Sequence, residues 1–146
     1  MSGQKAIRNF MDQSFVTLRP EMDVYQAIDI MMDKRLTGAV VTDEDMKVVG
    51  ILSEKDCLKL LREDSYYELP GGKVKDFMTK DVFTIKADLD IHKVADILLQ
   101  KVFRRLVIVD DQNKMIGQIT RRDLLRTIRR MHQDAGKKNK KIAPIL

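Results

Sequence analysis

Residues 50–56 read GILSEKD, and residues 117–123, which lie 67 positions later, read GQITRRD. Each stretch has a glycine at its first position, a hydroxyl residue at its fourth and an aspartate at its seventh. An apolar run surrounds each glycine, and leucines at helical spacing follow each aspartate. The pattern predicts a strand that passes through the glycine and ends where a helix begins, with Ser53 or Thr120 as the N-cap.

The similarity extends well beyond these two turns. Shifted by 67 positions, the sequence aligns with itself without a gap, with 13 identities in the 49 positions from Phe10 to Leu58. Each copy has an apolar run (15–18 or 82–85), an amphipathic helix behind an aspartate, two strands around an acidic turn and a final helix. We predict an α/β (α+β) protein of two pseudo-symmetric β-α-β-β-α repeats packed sheet to sheet, because one unit of about 58 residues is marginal for its own core.

The repeats define the domain boundaries. The first repeat spans residues 7–66, a Pro-Gly-Gly linker spans 67–73, the second repeat spans 74–132, and a flexible basic tail is predicted for 133–146. Helical spacing predicts that the last helix of each repeat buries an apolar stripe, formed by Cys57, Leu58 and Leu61 in the first repeat and by Leu124, Leu125 and Ile128 in the second.

Composition narrows the class of protein. No apolar run reaches the roughly 18 residues of a membrane span, no signal peptide pattern opens the sequence, and there is one cysteine, so a cytoplasmic protein without a membrane partner is expected. Residues 1–72 contain 9 basic and 13 acidic residues, whereas residues 73–146 contain 18 and 9. The basic half suits a phosphate-bearing partner, although a solvated surface with a basic tail is the alternative.

The matched turns have two interpretations. Ser/Thr-x-x-Asp is close to a capping box, which is a structural role. Alternatively, the strand glycine marks the close approach of another group, the helix N-terminus attracts an anion, and the hydroxyl and carboxylate bind phosphate and a sugar diol. The combination of these features in one turn favours the second interpretation, since a single turn then supplies both polar ends of a nucleotide site.

The repeat order and the Gly-x-hydrophobic-Ser/Thr-x-x-Asp signature resemble a pair of CBS domains, the Bateman module, over residues 7–132. This resemblance implies two clefts between the repeats that bind adenosine nucleotides, regulation of a partner protein, and assembly into a homodimer. It also implies that Ser53 and Asp56 hold phosphate and ribose in one cleft, and that Thr120 and Asp123 do so in the other.

The same resemblance assigns the walls of the clefts. Ile51 and Gln118 follow the glycines, and Gln118 departs from the usual hydrophobic choice. The first strand of the opposite repeat is expected to flank the base, which places Val82, Phe83 and Thr84 beside the first site and Phe15, Val16 and Thr17 beside the second. Plain core packing is the alternative for the four apolar residues.

The two clefts differ in charge. Arg104 and Arg105 precede the middle strand of the second repeat, where the first repeat has Thr37 and Gly38, and Arg121 and Arg122 stand where the first has Glu54 and Lys55. Arginine forks bind phosphate through charge-assisted hydrogen bonds, so the site of Thr120 and Asp123 is predicted to bind phosphate more tightly.

We find no catalytic or metal-ligand spacing in the sequence, so an enzyme is not expected, and no cofactor is required. Two functions remain open: a sensor in which an adenosine nucleotide is the regulatory ligand of a partner protein, or a ligand-free interaction scaffold that acts through a dimer surface or the basic tail. Nucleic acid is not an expected partner, because no aromatic residues interleave with the tail lysines.

Overall fold

The computed structural model describes residues 5–62, 71–100 and 103–142. The expected repeat is present twice, with short 3-10 turns at Ile7–Asn9 and Leu58–Leu61. The elements are β1 (Thr17–Leu18), α1 (Val24–Asp33), β2 (Gly38–Thr42), β3 (Val48–Ser53), α2 (Glu54–Cys57), α3 (Val74–Phe77), β4 (Thr84–Lys86), α4 (Ile91–Gln100), β5 (Arg105–Val109), β6 (Met115–Thr120) and α5 (Arg121–Ile142).

Each repeat forms its own three-stranded sheet, in the orders β1-β2-β3 and β4-β5-β6. The first two strands are parallel and the last two are antiparallel in both sheets. The registers also match, since Val41 pairs with Gly50 and Ile108 pairs with Gly117. Burial alternates identically along β3 and β6, so both glycine strands present the same face to the interior.

The two sheets pack against each other. Val40 and Val48 of the first sheet share a buried cluster with Val107, Val109 and Met115 of the second. Separate apolar clusters lie between each sheet and its own helices. The predicted α+β, sheet-to-sheet architecture is therefore confirmed, and the shared middle layer explains how two small units form one core.

The segment that leads into each repeat packs on the opposite repeat. Ile7 donates its backbone N–H to Leu89 O at 2.8 Å, and its side chain is fully buried in the core of the second repeat. In the same way Val74 donates to Met22 O at 2.8 Å and is fully buried in the core of the first. Neither core is complete without residues from the other half of the sequence.

The first strands are shorter than the apolar runs suggest. Phe15, Val16, Val82 and Phe83 precede β1 and β4 and lie outside their strand pairing, and Thr17 and Thr84 begin those strands rather than end them. Of the predicted linker 67–73, only residues 71–73 lie within the described part, and there Gly72 O accepts a hydrogen bond from the first repeat, from Val24 N.

The predicted apolar stripes on the last helices are wrong in part. Leu58 and Leu61 are 64% and 70% exposed, and Leu125 and Ile128 are 63% and 59% exposed. In the first repeat α2 is one turn long and continues as a 3-10 turn, which shifts the helical phase so that Leu60 is buried instead. In the second repeat, the described side chains of α5 that are buried are those of Leu124 and Thr127.

Helix α5 continues to Ile142, although the sequence predicts a flexible tail from residue 133. Gln133, Ala135 and the following lysines are good helix formers, and the single Gly136 costs about 1 kcal/mol, which is not enough to end a helix. The flexibility of this part stays a prediction. Within the three described ranges, no helix combines the length and apolarity that crossing a membrane requires.

Candidate functional site

Both signature turns form capping boxes. Ser53 N donates to Asp56 Oδ2 at 3.0 Å, and Asp56 N donates to Ser53 Oγ at 3.1 Å. Thr120 N donates to Asp123 Oδ2 at 2.8 Å, and Asp123 N donates to Thr120 Oγ1 at 3.2 Å. The structural interpretation of these residues is therefore realised at both turns, and a ligand role has to be compatible with it.

The second carboxylate oxygen has different partners in the two repeats. Asp56 Oδ1 accepts from Lys59 Nζ at 3.2 Å and from the Thr79 hydroxyl at 3.2 Å, and the Asp56 side chain is 7% exposed. Asp123 Oδ1 accepts from Arg126 at 3.0 Å, and the Asp123 side chain is 15% exposed. The Asp123 carboxylate is thus the more accessible of the two.

Glycine is required at positions 50 and 117, because other parts of the chain lie where a Cβ atom would be. A Cβ atom on Gly50 would lie 2.6 Å from Met78 Sδ and 3.0 Å from Thr79 O, and one on Gly117 would lie 2.5 Å from Met11 Sδ. These contacts come from the segments that lead into each repeat and pack on the opposite repeat, which we call the exchanged segments. Thr79 of one segment pairs with Ile51 of β3, and Asp12 of the other pairs with Gln118 of β6. The close approach that the sequence predicted at each glycine is real, and its source is protein backbone and methionine.

A polar network joins the two repeats beside the second turn. Arg105 donates to Gln118 Oε1 at 3.1 Å and, from its other terminal nitrogen, to the hydroxyl of Thr37 in the first repeat at 3.5 Å. Gln118 in turn donates to Asp12 Oδ2 at 3.3 Å. Burial lowers the pKa of the Arg105 guanidinium, and the charge of Asp123 opposes that shift. A half-buried cation therefore stands between the repeats, near Asp123.

The structure brings together only part of the predicted second site. Gln118 lies in the network with Arg105, and Phe15 packs in the cluster between the sheets. Val16 and Thr17 are half-buried. Arg104 is exposed, and Arg121 donates to Leu98 O at 3.1 Å, toward α4. Arg122 lines a small surface cavity on α5 with Leu125, Arg126 and Arg129.

The predicted walls of the first site divide in the same way. Ile51 and Val82 pack half-buried in the cluster between the sheets. Phe83 is exposed and stacks on Phe103, with ring centroids 5.0 Å apart. Thr84 is half-buried, and Thr37 is exposed and contacts Arg105. Buried packing and solvent exposure thus both occur among the residues predicted for this wall.

Sequence reasoning missed three residues that contact the network or the carboxylates, namely Asp12, Thr79 and Lys59, and it did not separate Arg105 from Arg104. Asp12 and Thr79 occupy equivalent positions, directly after the repeated Phe-Met pair. The sequence could have indicated these two residues, because the repeats differ at this position directly after two identical residues. Which of two adjacent arginines points inward depends on the strand register, and composition does not contain that information.

A sizeable cavity lies elsewhere in the first repeat. Its volume is about 530 Å³, and its lining residues are Arg19, Pro20, Glu21, Asp43, Glu44 and Asp45. These residues follow the carboxyl ends of β1 and β2, whereas Ser53 pairs with Gly38 at the opposite end of the sheet. Among the described residues, no group of three or more His, Cys, Asp or Glu side chains is arranged to hold a metal ion.

Cys57 is adjacent to the first carboxylate but is not placed as a nucleophile. Burial raises the pKa of its thiol, and the neighbouring charges of Asp56 and Glu54 raise it further. A neutral, half-buried thiol agrees with the structural role expected from the sequence.

Comparison with known proteins decides the family, because a model of the CBS domain matches residues 7–63 and again residues 74–130. The chain belongs to the CBS domain family. The CBS pair is a regulatory type of domain and not a catalytic one.

Individual relatives agree with that assignment. The chain is 35% identical to inosine-5'-monophosphate dehydrogenase of Methanocaldococcus jannaschii over 125 residues, which is 86% of this chain and 23% of the dehydrogenase. It is 28% identical to CBSX1 of Arabidopsis thaliana, a chloroplastic protein, over 86% of this chain and 64% of that protein. This CBS pair therefore spans about a quarter of the length of the dehydrogenase.

A solved structure of CBSX2 in complex with AMP is similar throughout. It is 28% identical to this CBS pair, has a TM-score of 0.75, and covers 87% of this chain and 98% of its own. A further structure of CBSX2, from Arabidopsis thaliana, gives a TM-score of 0.74 at 26% identity. The arrangement of the two repeats is thus one found in CBS pairs, including one that binds AMP.

Proposed function

We propose that this CBS pair is a regulatory sensor that binds an adenosine nucleotide between its repeats and thereby changes its affinity for a partner protein. The observation that carries the proposal is the pair of hydroxyl and carboxylate turns, together with the half-buried cation of Arg105 between the repeats. The similarity to CBSX2, whose structure contains AMP, supports an adenosine ligand. We place the protein in the cytoplasm, and its partner is unidentified.

Capping and ribose binding are compatible at the aspartates. A carboxylate has two oxygens and about four acceptor positions, so Oδ2 can keep the cap amide while Oδ1 accepts a ribose hydroxyl. In the second repeat the ribose then competes with the exposed side chain of Arg126 for Asp123 Oδ1. In the first repeat it competes with both Lys59 and Thr79 for Asp56 Oδ1. The second cleft is therefore the better ribose site.

Phosphate recognition favours the same cleft. Arg105 is half-buried, and its present acceptors include the neutral groups of Gln118 and Thr37. A phosphate oxygen is a stronger acceptor for guanidinium than an amide or a hydroxyl, since both partners are charged. We propose that phosphate replaces these acceptors, which assigns to Arg105 alone the role that was predicted for the two arginine pairs at 104–105 and 121–122.

Signalling follows from the position of that network. Because Arg105 contacts Thr37 across the repeats, a ligand that recruits its guanidinium alters a contact between the two halves. The change in partner affinity and the change in nucleotide affinity must be equal by linkage, so adding the partner has to shift the nucleotide dissociation constant by the same factor.

A calorimetric titration and a thermal-shift panel with AMP, ADP, ATP, S-adenosylmethionine and NAD test the proposal. Ligand at 100 times its dissociation constant should stabilise the chain by about 2.7 kcal/mol. Asp123→Asn and Arg105→Gln should each weaken nucleotide binding at least tenfold. Asp76→Asn is the matched control, because Asp76 also caps a helix, through Lys73 N at 2.9 Å, but does not belong to the proposed clefts. Equal affinities in the control and in Asp123→Asn would contradict the site.

The scaffold alternative has one observation in its favour. Both aspartates already have partners on both oxygens, so the clefts are stable without a ligand. Melting curves that do not change with any member of the panel would favour the scaffold, and loss of partner binding on removal of residues 133–146 would place its contact on the end of α5.

A further inference from the structure

Arg105 lies beside the second signature turn and reaches toward the first. It is the strand partner of Thr120, and it donates to Gln118 Oε1 at 3.1 Å within its own repeat. Its other terminal nitrogen lies 3.5 Å from the hydroxyl of Thr37, whose carbonyl accepts from Glu54 N, the first amide of α2. The guanidinium therefore extends from one turn to the residue that packs against the other turn.

The first repeat has no cation at the equivalent position. Gly38 begins β2 as Arg105 begins β5, and each pairs with the hydroxyl residue of its own turn, Ser53 or Thr120. Because Gly38 has no side chain, the first cleft receives no guanidinium from its own middle strand. The nearest equivalent is the Arg105 side chain, which reaches Thr37 from the second repeat.

Other basic side chains at the turns are engaged at the aspartates. Lys59 Nζ lies 3.2 Å from Asp56 Oδ1, and an Arg126 terminal nitrogen lies 3.0 Å from Asp123 Oδ1. Each of these ion pairs joins residues three positions apart in one repeat, at the oxygen assigned above to ribose. Arg105 differs from both, because its donors are divided between the two repeats.

We propose that the two clefts share the Arg105 guanidinium and therefore bind phosphorylated nucleotides anticooperatively. This coupling rests on the proposed nucleotide sensing and adds a dependence of each cleft on the other. Bidentate pairing with one phosphate engages two parallel N–H donors of the guanidinium fork, whereas its terminal nitrogens now face acceptors in different repeats. A second phosphate then meets a cation that is already neutralised, together with the like charge of the first phosphate.

The coupling distinguishes phosphorylated from unphosphorylated ligands. Adenosine has the base and the ribose but no phosphate, so it does not compete for Arg105, and its two binding steps should be independent. AMP should bind once with full use of the guanidinium. Its second step should be weaker by about tenfold than binding to the same cleft when the neighbouring cleft is empty, which is a typical size for coupling between two sites.

Calorimetric titrations with AMP and with adenosine measure this coupling. Asp123→Asn weakens the second cleft, so its titration reports the first cleft with Arg105 available. The weaker AMP step of the unmodified chain should be about tenfold weaker than that value, and adenosine should show no such difference. A weaker AMP step equal to the Asp123→Asn value would overturn the sharing and leave nucleotide sensing intact. Absence of any AMP binding would overturn both.

Two further variants separate the shared guanidinium from simple repulsion between phosphates. In Arg105→Gln both AMP steps should weaken, and the weaker step should equal the single step of Arg105→Gln combined with Asp123→Asn. Arg104→Gln is the matched control, since Arg104 is the adjacent exposed arginine, and it should keep the full coupling. Coupling that persists in Arg105→Gln would overturn the proposal, because repulsion alone would then explain it.

A second guanidinium should relieve the competition. Gly38→Arg places one at the equivalent position of the first repeat and should strengthen the weaker AMP step several-fold. Gly38→Ala is its control, because the added Cβ lies 3.3 Å from Leu52 O in both variants. Thermal unfolding establishes that both are folded before titration. Equal weaker steps in the two folded variants would contradict a missing cation in the first cleft.

Discussion

The two repeats share their backbone pairing almost residue for residue, yet they differ in what surrounds the equivalent aspartates. Asp56 is enclosed by Lys59 and the Thr79 hydroxyl, whereas the outer oxygen of Asp123 accepts from Arg126. The matched positions of Thr79 and Asp12 explain part of the contrast, because Asp12 directs its carboxylate to Gln118 instead. One fold therefore contains a closed copy and an open copy of the same turn.

The difference shows how a duplicated unit acquires two roles. Strand register, caps and glycine contacts depend on positions that are identical or similar in the repeats. Accessibility and charge depend on positions that differ, such as Thr37 against Arg104, Gly38 against Arg105 and Glu54 against Arg121. These positions lie at the starts of the middle strands and of the last helices, and none of them belongs to the three apolar clusters of the core.

The largest expected effect breaks the equivalence of the two glycines. Gly50→Ala should reduce the free energy of unfolding by about 2 to 3 kcal/mol, since its Cβ would meet the carbonyl of Thr79 at 3.0 Å as well as the Met78 sulfur. Gly117→Ala should cost about 1 to 2 kcal/mol, because the flexible Met11 side chain can move and Asp12 O lies farther away, at 3.3 Å.

Chemical denaturation at a fixed pH measures both values. Gly71→Ala is the control, since a Cβ there has nothing within 4 Å. Replacing Met78 by Ala in the Gly50→Ala background should return part of the lost stability. Equal losses at the two glycines would show that the methionines, not the carbonyls, dominate the cost.

A smaller effect separates the two aspartates. Asp56→Ala should cost about 2 kcal/mol of stability, because the cap amide of Ser53, the Thr79 hydroxyl and the Lys59 ammonium all lose an acceptor. Asp123→Ala should cost about 1 kcal/mol, mainly the loss of the cap at Thr120. Thermal unfolding of the two variants without ligand ranks them, and a larger loss at Asp123 would contradict the contrast between a closed and an open copy.

The smallest effect concerns the turns between the paired strands. Met46 and Asn113 hold equivalent positions, and both have a φ of 65°. Asparagine tolerates this left-handed region better than methionine, so Met46→Asn should stabilise the chain by about 0.5 kcal/mol. The reverse change, Asn113→Met, should destabilise it by about 1 kcal/mol, since the Asn113 amide also donates to Val48 O at 3.2 Å. A loss of stability in Met46→Asn would mean that the contacts of its sulfur outweigh the backbone preference.

The internal repeat made most of the fold predictable. The 67-residue shift located each strand pair and both helix caps, because Asp23 and Asp90 accept hydrogen bonds from the backbone of their helices as their positions suggested. The exchange of the leading segments was not predictable from periodicity. Ile7 and Val74 are matched apolar residues in either arrangement, and only three-dimensional packing decides which repeat receives them.

The candidate site was less predictable than the fold. Its hydroxyl and carboxylate residues were identified, because they occupy fixed positions after each strand glycine. The sequence did not show which of Arg104 and Arg105 faces inward. Side chains alternate between the two faces of a strand, but the residue at which the strand begins after a loop cannot be read from the sequence. The exposed leucines were misjudged for a related reason, because helical spacing identifies an apolar stripe but not whether the domain or another surface covers it.

The exchanged leading segments have a consequence for how the molecule unfolds. Residues around Ile7 complete the core of the second repeat, and residues around Val74 complete that of the first, so detaching either segment opens a cavity in the other half. A single repeat with only its own leading segment would keep an apolar groove where the missing piece belongs. The two halves should thus lose their structure in a single cooperative transition. The pair, rather than the single repeat, is therefore the smallest unit that can be transferred to another protein as an intact domain.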